Sequence, residues 1–144
     1  MKSRIIVTSF LICIFSLFNL TIFAGGFSLE YQLACINAGK QVKKDDLSVK
    51  RFRSILNQLS QTFIENKQQI ADMSVKANQI LKEDGISESL LNIMEGMNQI
   101  FYSKVDNQKY SEYIALYLTM RNKGQSHKQA INSIKAALQS FGIK

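Results

Sequence analysis

After about residue 25, apolar side chains recur every three or four positions, which is the spacing of one face of an α-helix. Alternating runs of β-branched and polar residues, the usual pattern of half-buried strands, are missing. The chain also contains no proline. These observations predict an all-α fold, a small antiparallel bundle of four or five helices.

Residues that favour helix ends divide this part of the chain into segments. Ser28 is placed to cap a first helix, which Gly39 ends because glycine readily adopts the left-handed conformation. Asp45 or Asp46 can cap the next helix, and Ser87 a later one.

The segment after residue 87 contains a glycine in its middle, Gly96. A glycine inside a helix costs about 1 kcal/mol relative to alanine. We therefore expect it to allow close approach of a neighbouring helix.

The last fifth of the chain predicts a helical hairpin. An amphipathic segment runs from residue 110 to residue 123, and Gly124 ends it. Ser126 followed by Gln129 has the spacing of a capping box, which marks the start of the final helix.

A heptad seam between residues 52 and 80 is the clearest pattern in the chain. Its positions alternate in steps of four and three and are Phe52, Leu56, Leu59, Phe63, Asn66, Ile70, Met73, Ala77 and Ile80. One continuous helix over residues 46–83 would be about 55 Å long, whereas a break near residues 65–67 would give two helices. The seam is either the core side of an intramolecular bundle or a coiled coil that joins two chains into a homo-oligomer.

The first 24 residues have the pattern of a secretory signal. Lys2 and Arg4 precede an uncharged apolar run over residues 5–23, and small residues follow at positions 24–26. The alternative is an uncleaved anchor, because about nineteen apolar residues can span a bilayer. We expect cleavage after Ala24, which leaves residues 25–144 as a single soluble helical domain in the periplasm or outside the cell.

The net charge of the whole chain is +7, and loss of Lys2 and Arg4 with the signal leaves +5. Basic proteins commonly bind nucleic acid, membranes or acidic partners. Export argues against nucleic acid, so we expect an anionic surface or an acidic protein. The densest basic patch, which is either a candidate surface for anionic lipid or a solvated connector, consists of Lys40, Lys43, Lys44, Lys50, Arg51 and Arg53.

Two further features are candidates for contact with a partner. Tyr110, Tyr113 and Tyr117 follow helical spacing, so they form either a protein-binding stripe or the rim of the core. Cys35 is the single cysteine after the signal segment. It is either a small buried hydrophobic residue or the site of an intermolecular disulfide.

Residues with catalytic potential are sparse in the sequence. There is one histidine, His127, and the sequence contains no cluster of metal ligands, glycine-rich phosphate loop or nucleophile elbow, so no metal or cofactor is predicted. Glu88-Ser89 resembles the Glu-Ser dipeptide of lytic transglycosylases, in which a glutamate with a raised pKa is the general acid. The flanking glycine-rich and aromatic segments of that family are missing.

The sequence therefore favours a non-enzymatic protein of the bacterial envelope or secreted fraction that acts by protein–protein interaction. Accessory, adaptor, chaperone-like and toxin-neutralising roles all fit this description. The alternative is a membrane-peripheral or membrane-active basic protein, and the remote alternative is a small cell-wall hydrolase.

Overall fold

The computed structural model describes residues 26–101 and 108–142, so the predicted signal segment lies outside the described residues. Within these ranges the chain forms a compact bundle of six α-helices and no β-strand, which confirms the predicted all-α class. The helices are α1 (Leu29–Ala38), α2 (Leu47–Thr62), α3 (Lys67–Glu83), α4 (Leu90–Asn98), α5 (Tyr110–Asn122) and α6 (His127–Ser140).

One hydrophobic core receives side chains from all six helices. α3 lies against α1, α2, α4 and α5, and α4 also packs against α6. The largest side chains that are fully buried include Phe52, Leu56, Leu59, Ile70, Met94, Tyr110 and Tyr117. Burial of such side chains supplies most of the free energy that favours folding.

The heptad seam is interrupted, so the break considered above is correct and one long helix is not formed. Phe63 has an extended backbone (φ −107°, ψ 158°) that ends α2. Asn66 is exposed and caps α3, where its side chain accepts a hydrogen bond from the backbone N–H of Gln69. The polar residue in the seam is therefore a helix start rather than a position between two chains.

Most apolar residues of the seam pack inside one chain, as the intramolecular alternative expects, while pairing of two chains through the seam stays a prediction. Phe52, Leu56, Leu59 and Ile70 are fully buried, and Phe63 is nearly so. Neighbouring helices of the same chain cover these side chains, whereas Met73 and Ile80 are half-buried.

Several predicted caps are present. Ser28 caps α1 and Gly39 ends it in the left-handed region (φ 65°), while Asp46 rather than Asp45 caps α2. Ser126 caps α6 with the predicted capping box. These devices satisfy the backbone groups that helix ends leave unpaired.

The start of α4 differs from the prediction by two residues. Ser89, not Ser87, is the cap, and its side chain accepts a hydrogen bond from the backbone N–H of Asn92. The later start leaves Glu88 outside the helix, where its backbone carbonyl accepts a hydrogen bond from Asn78.

A search of the described helices for membrane spans finds none of sufficient length and hydropathy.

Candidate functional site

Four polar side chains meet between α4, α5 and α6 and form what we call the Glu88 cluster: Glu88, Tyr117, Arg121 and His127. Arg121 donates from Nη1 to Glu88 Oε2 at 2.6 Å and to Tyr117 Oη at 3.1 Å. Tyr117 Oη lies 2.8 Å from His127 Nδ1. Glu88 comes from the connection before α4, so the cluster ties that connection to the C-terminal hairpin.

The cluster is largely sealed from solvent. The Glu88 and Arg121 side chains are 10% and 8% exposed, and that of His127 is 27% exposed. Asn92 also donates to Glu88 Oε1 at 3.0 Å. Glu88 thus accepts two hydrogen bonds and Arg121 donates two, which offset part of the cost of burying both charges, while the buried Nε of Arg121 has no partner.

The charge state of Glu88 follows from its hydrogen bonds. Burial raises the pKa of this carboxyl, but the hydrogen bonds from Arg121 and Asn92, with the charges of His127 and Arg121, lower the pKa below its usual value overall. Glu88 is thus a carboxylate at neutral pH, whereas a general acid of a glycosidase needs a raised pKa.

His127 joins the cluster through Tyr117. Tyr117 Oη accepts from Arg121 and shares a second hydrogen bond with His127 Nδ1, whose donor is set by the imidazole tautomer. Burial lowers the pKa of His127, the Arg121 charge lowers it further and the Glu88 charge opposes both. The imidazole is therefore neutral at pH 7, and it carries the charge that acts on Glu88 only at lower pH.

Gly96 makes room for the His127 ring. A Cβ atom at this position would lie 2.6 Å from His127 Cε1 and 2.9 Å from Nε2. The expected close approach of a neighbouring helix at Gly96 is confirmed, and the helix is α6.

The structure places the three tyrosines of the predicted stripe in the core, more deeply than the core rim considered above. Tyr110 and Tyr117 are fully buried and Tyr113 is 7% exposed. Tyr110 Oη lies 2.7 Å from Ser74 Oγ, and burial raises the pKa of both Tyr110 and Tyr117, the latter to about 12. Phe63 and Phe101 pack edge-on against this group of rings.

The six residues of the predicted basic patch are all exposed, but they do not share one surface. Arg51 pairs with Glu95 of α4 at 2.6 Å. Lys44 and Arg53 instead line a cleft of about 240 Å³ beside the start of α1, together with Phe27 and Tyr31. We call this the Lys44 cleft. Lys40, Lys43 and Lys50 lie outside it.

Cys35 is partly buried on α1, one turn after Tyr31. Burial and a hydrogen bond between the two side chains raise the pKa of Tyr31. The intermolecular disulfide remains a prediction.

The sequence drew attention to Glu88 and His127 separately but gave no sign of Arg121, which links Glu88 to Tyr117 and, through Tyr117, to His127. Arg121 and His127 lie 33 and 39 positions after Glu88 along the chain, and helical periodicity gives no information about such distant pairs. Phe27 and Tyr31, four residues apart at the start of the first helix, were a usable local signal for the pair of rings in the cleft. Among the described residues, no group of three or more potential ligands is placed to hold a metal ion.

Comparison with known proteins gives one match. The sequence model of the MoxZ family matches residues 39–139, which cover most of the described bundle from the end of α1 to the last turn of α6. No curated protein and no solved structure matches the chain.

Proposed function

The chain belongs to the MoxZ family, and from this membership we propose that it is an exported, non-enzymatic accessory protein that binds another protein. The family match and the all-helical bundle are compatible with an accessory role. Adaptor, chaperone-like and toxin-neutralising activities are specific forms of the same proposal, set in the bacterial envelope or secreted fraction.

The Glu88 cluster carries the proposal. Its carboxylate, phenol, guanidinium and imidazole are groups that could take part in catalysis, and in the described fold they form hydrogen bonds with one another. The Glu88 carboxylate is ionised and held by Arg121, so it is poorly suited to donate a proton to a leaving group. This argues for binding over cell-wall hydrolysis.

The proposal of export rests on the sequence of the first 24 residues. In the envelope, a net positive protein is attracted to acidic partners over distances near the Debye length, about 8 Å at physiological salt.

Affinity capture tests the proposal. The protein, tagged at its C-terminus and processed by its native host, is mildly crosslinked in envelope and culture fractions, and bound proteins are identified by mass spectrometry. We expect one partner at near-equal stoichiometry that is missing from an untagged strain. Degradation of peptidoglycan in a zymogram, lost on Glu88→Gln, would instead make the protein a hydrolase.

One observation favours a second candidate, a membrane-peripheral protein. Leu47, the first residue of α2, is 70% exposed; Asp45 and Asp46 directly precede it, and Lys43, Lys44 and Lys50 lie within four residues. An exposed apolar residue among cations is typical of proteins that lie on anionic bilayers. Flotation with phosphatidylglycerol vesicles tests this candidate: binding should weaken in Leu47→Gln, and no binding by the wild type at low salt rejects it.

A further inference from the structure

Helix geometry separates the arginines of α2 into two environments. At about 100° per residue, Arg51 and Arg53 project about 200° apart around the helix axis. Arg51 faces α4, where its guanidinium contacts the Glu95 carboxylate. Arg53 faces the other way, towards the start of α1, and lines the Lys44 cleft.

Internal contacts hold the walls of the cleft in place. The Phe27 and Tyr31 rings stack with centroids 4.9 Å apart, and Gln32 donates to the Phe27 carbonyl at 3.1 Å. Tyr31 Oη donates to the Val42 carbonyl at 3.0 Å, which fixes the connector that carries Lys44. Lys44 Nζ in turn lies 5.2 Å from the centre of the Phe27 ring. Groups fixed in advance lose little entropy when they bind a ligand.

The two cations of the cleft lack the partner that Arg51 has. Within the described ranges, neither Lys44 nor Arg53 forms an ion pair. The nearest acids in sequence are Asp45 and Asp46, and the Asp46 carboxylate is engaged by the backbone N–H and hydroxyl of Ser48 at 2.8 and 2.6 Å. A carboxylate placed between two cations would gain charge-assisted hydrogen bonds from both.

We propose that the Lys44 cleft binds an acidic side chain, with an adjacent apolar residue, from an extended segment of a partner protein. The inference rests on the proposed function, and it names the surface that function uses. The carboxylate contacts Lys44 and Arg53, and the apolar neighbour packs on the stacked rings of Phe27 and Tyr31. The cleft volume of about 240 Å³ suits a side chain, since small-molecule sites usually measure about 300–1,000 Å³.

Charge distribution favours a protein segment over a bilayer. The connector over residues 40–46 carries Lys40, Lys43 and Lys44 but also Asp45 and Asp46, so its net charge is only +1. A flat anionic surface would be attracted by the net charge of the whole connector, which lies within one Debye length of it. A single carboxylate inside the cleft would be attracted mainly by Lys44 and Arg53, which line it.

The test is an NMR titration of the protein as its host processes it. The probes are the acetylated and amidated tetrapeptide LEEL, its neutral analogue LQQL, inorganic phosphate, and phosphatidylglycerol vesicles. LEEL should shift the amide signals of Phe27, Lys44 and Arg53, and LQQL should not. Lys44→Gln/Arg53→Gln should weaken LEEL binding by about tenfold or more.

Lys43→Gln/Lys50→Gln is the matched control, because it removes the same charge from exposed positions outside the cleft. It should change binding by about threefold at most. If both double variants lost LEEL affinity equally, the binding would come from diffuse charge and not from the Lys44 cleft. If phosphate bound more tightly than LEEL, the proposed carboxylate ligand would be wrong. Vesicle binding without LEEL binding, lost in Leu47→Gln, would assign the surface to lipid.

The two proposals fail in different ways. Capture of no partner by the wild-type protein contradicts the proposed function. Capture of a partner that Lys44→Gln/Arg53→Gln retains at full yield contradicts the cleft alone.

Discussion

At the scale of single residues, the close contact between α4 and α6 depends on Gly96, which has no side chain. Gly96 lets the His127 ring lie where a methyl group would otherwise be, and Ile131 Cδ1 is only 3.0 Å from the same point. Tyr117 holds the ring through Nδ1, so the imidazole cannot turn aside without loss of a hydrogen bond. The small residue therefore matters here for packing rather than for flexibility.

Gly96→Ala should destabilise the protein although alanine is the better helix former. Helix propensity favours alanine by about 1 kcal/mol, but forcing extra volume into a packed core usually costs about 1–3 kcal/mol. We expect a net loss in the free energy of unfolding, measured by urea denaturation.

The background variant His127→Ala serves as the control for that substitution. Removal of the ring relieves the closest contacts, at 2.6 and 2.9 Å, so Gly96→Ala should cost less there than in the wild type. An equal cost in both backgrounds would show that the imidazole does not set the requirement for glycine.

Arg121→Met should be one of the most damaging single changes in the bundle. It leaves the Glu88 carboxylate, 10% exposed, without its cation, and breaking a buried pair in this way costs about 3–5 kcal/mol. The double variant Glu88→Gln/Arg121→Met removes the stranded charge and should recover part of the loss in a urea melt. A double variant less stable than the single would contradict this account of the pair.

At the scale of whole elements, α5 begins without a cap of its own. Its N-cap residue, Lys109, makes no side-chain capping hydrogen bond. Glu65, from the turn between α2 and α3, instead accepts from the backbone N–H of Tyr110 at 2.8 Å and of Ser111 at 3.0 Å. Burial raises the pKa of Glu65, but these hydrogen bonds lower it below its usual value overall, so the cap is charged at neutral pH.

Glu65→Ala should loosen the start of α5. The loss of a cap costs about 0.5–2 kcal/mol, and hydrogen exchange at the amides of Tyr110 and Ser111 should accelerate. Ser126→Ala, which removes the ordinary local cap of α6, is the matched comparison. If Glu65→Ala left exchange at these two amides unchanged, the carboxylate would not be acting as their cap.

The caps of α5 and α6 differ in how far along the chain they act, and this decides which of them could be predicted from the sequence. Ser126 acts on a residue three positions away, so its role is visible in a short window of sequence. Glu65 acts on residues 45 and 46 positions away, and the pairing of Glu88 with Arg121 spans 33. The all-α class and most helix ends were therefore predictable. The inner position of the tyrosines was not, because periodicity alone cannot separate the core from its rim.

At the scale of the whole molecule, stability should depend on pH through the single histidine. The pKa of His127 in the fold lies below its ordinary value of 6.5, chiefly because the ring is buried. The unfolded chain therefore binds a proton at His127 more readily than the folded chain does. The contribution of His127 to the free energy of unfolding is fully present above pH 6.5, and it is lost as the pH falls through the lower pKa of the folded state. Glu88 acts in a separate window, below its ordinary value of 4.5, because its folded pKa is also lowered.

Thermal melting between about pH 7.5 and about pH 5 covers the range in which an ordinary histidine titrates. The Tm of the wild type should fall across this range, and that of His127→Gln should fall less. Parallel curves for the two proteins would mean that the imidazole titrates alike in the folded and unfolded states.

The buried tyrosines give the molecule a spectroscopic reporter of its own integrity. The chain has no tryptophan and five tyrosines, so its near-ultraviolet absorption comes mainly from phenol rings. Tyr110 and Tyr117 stay protonated well above the usual pKa of 10 because they are buried. An alkaline absorbance titration should therefore show phenolate appearing in two stages, and the later stage should coincide with the opening of the bundle around α5.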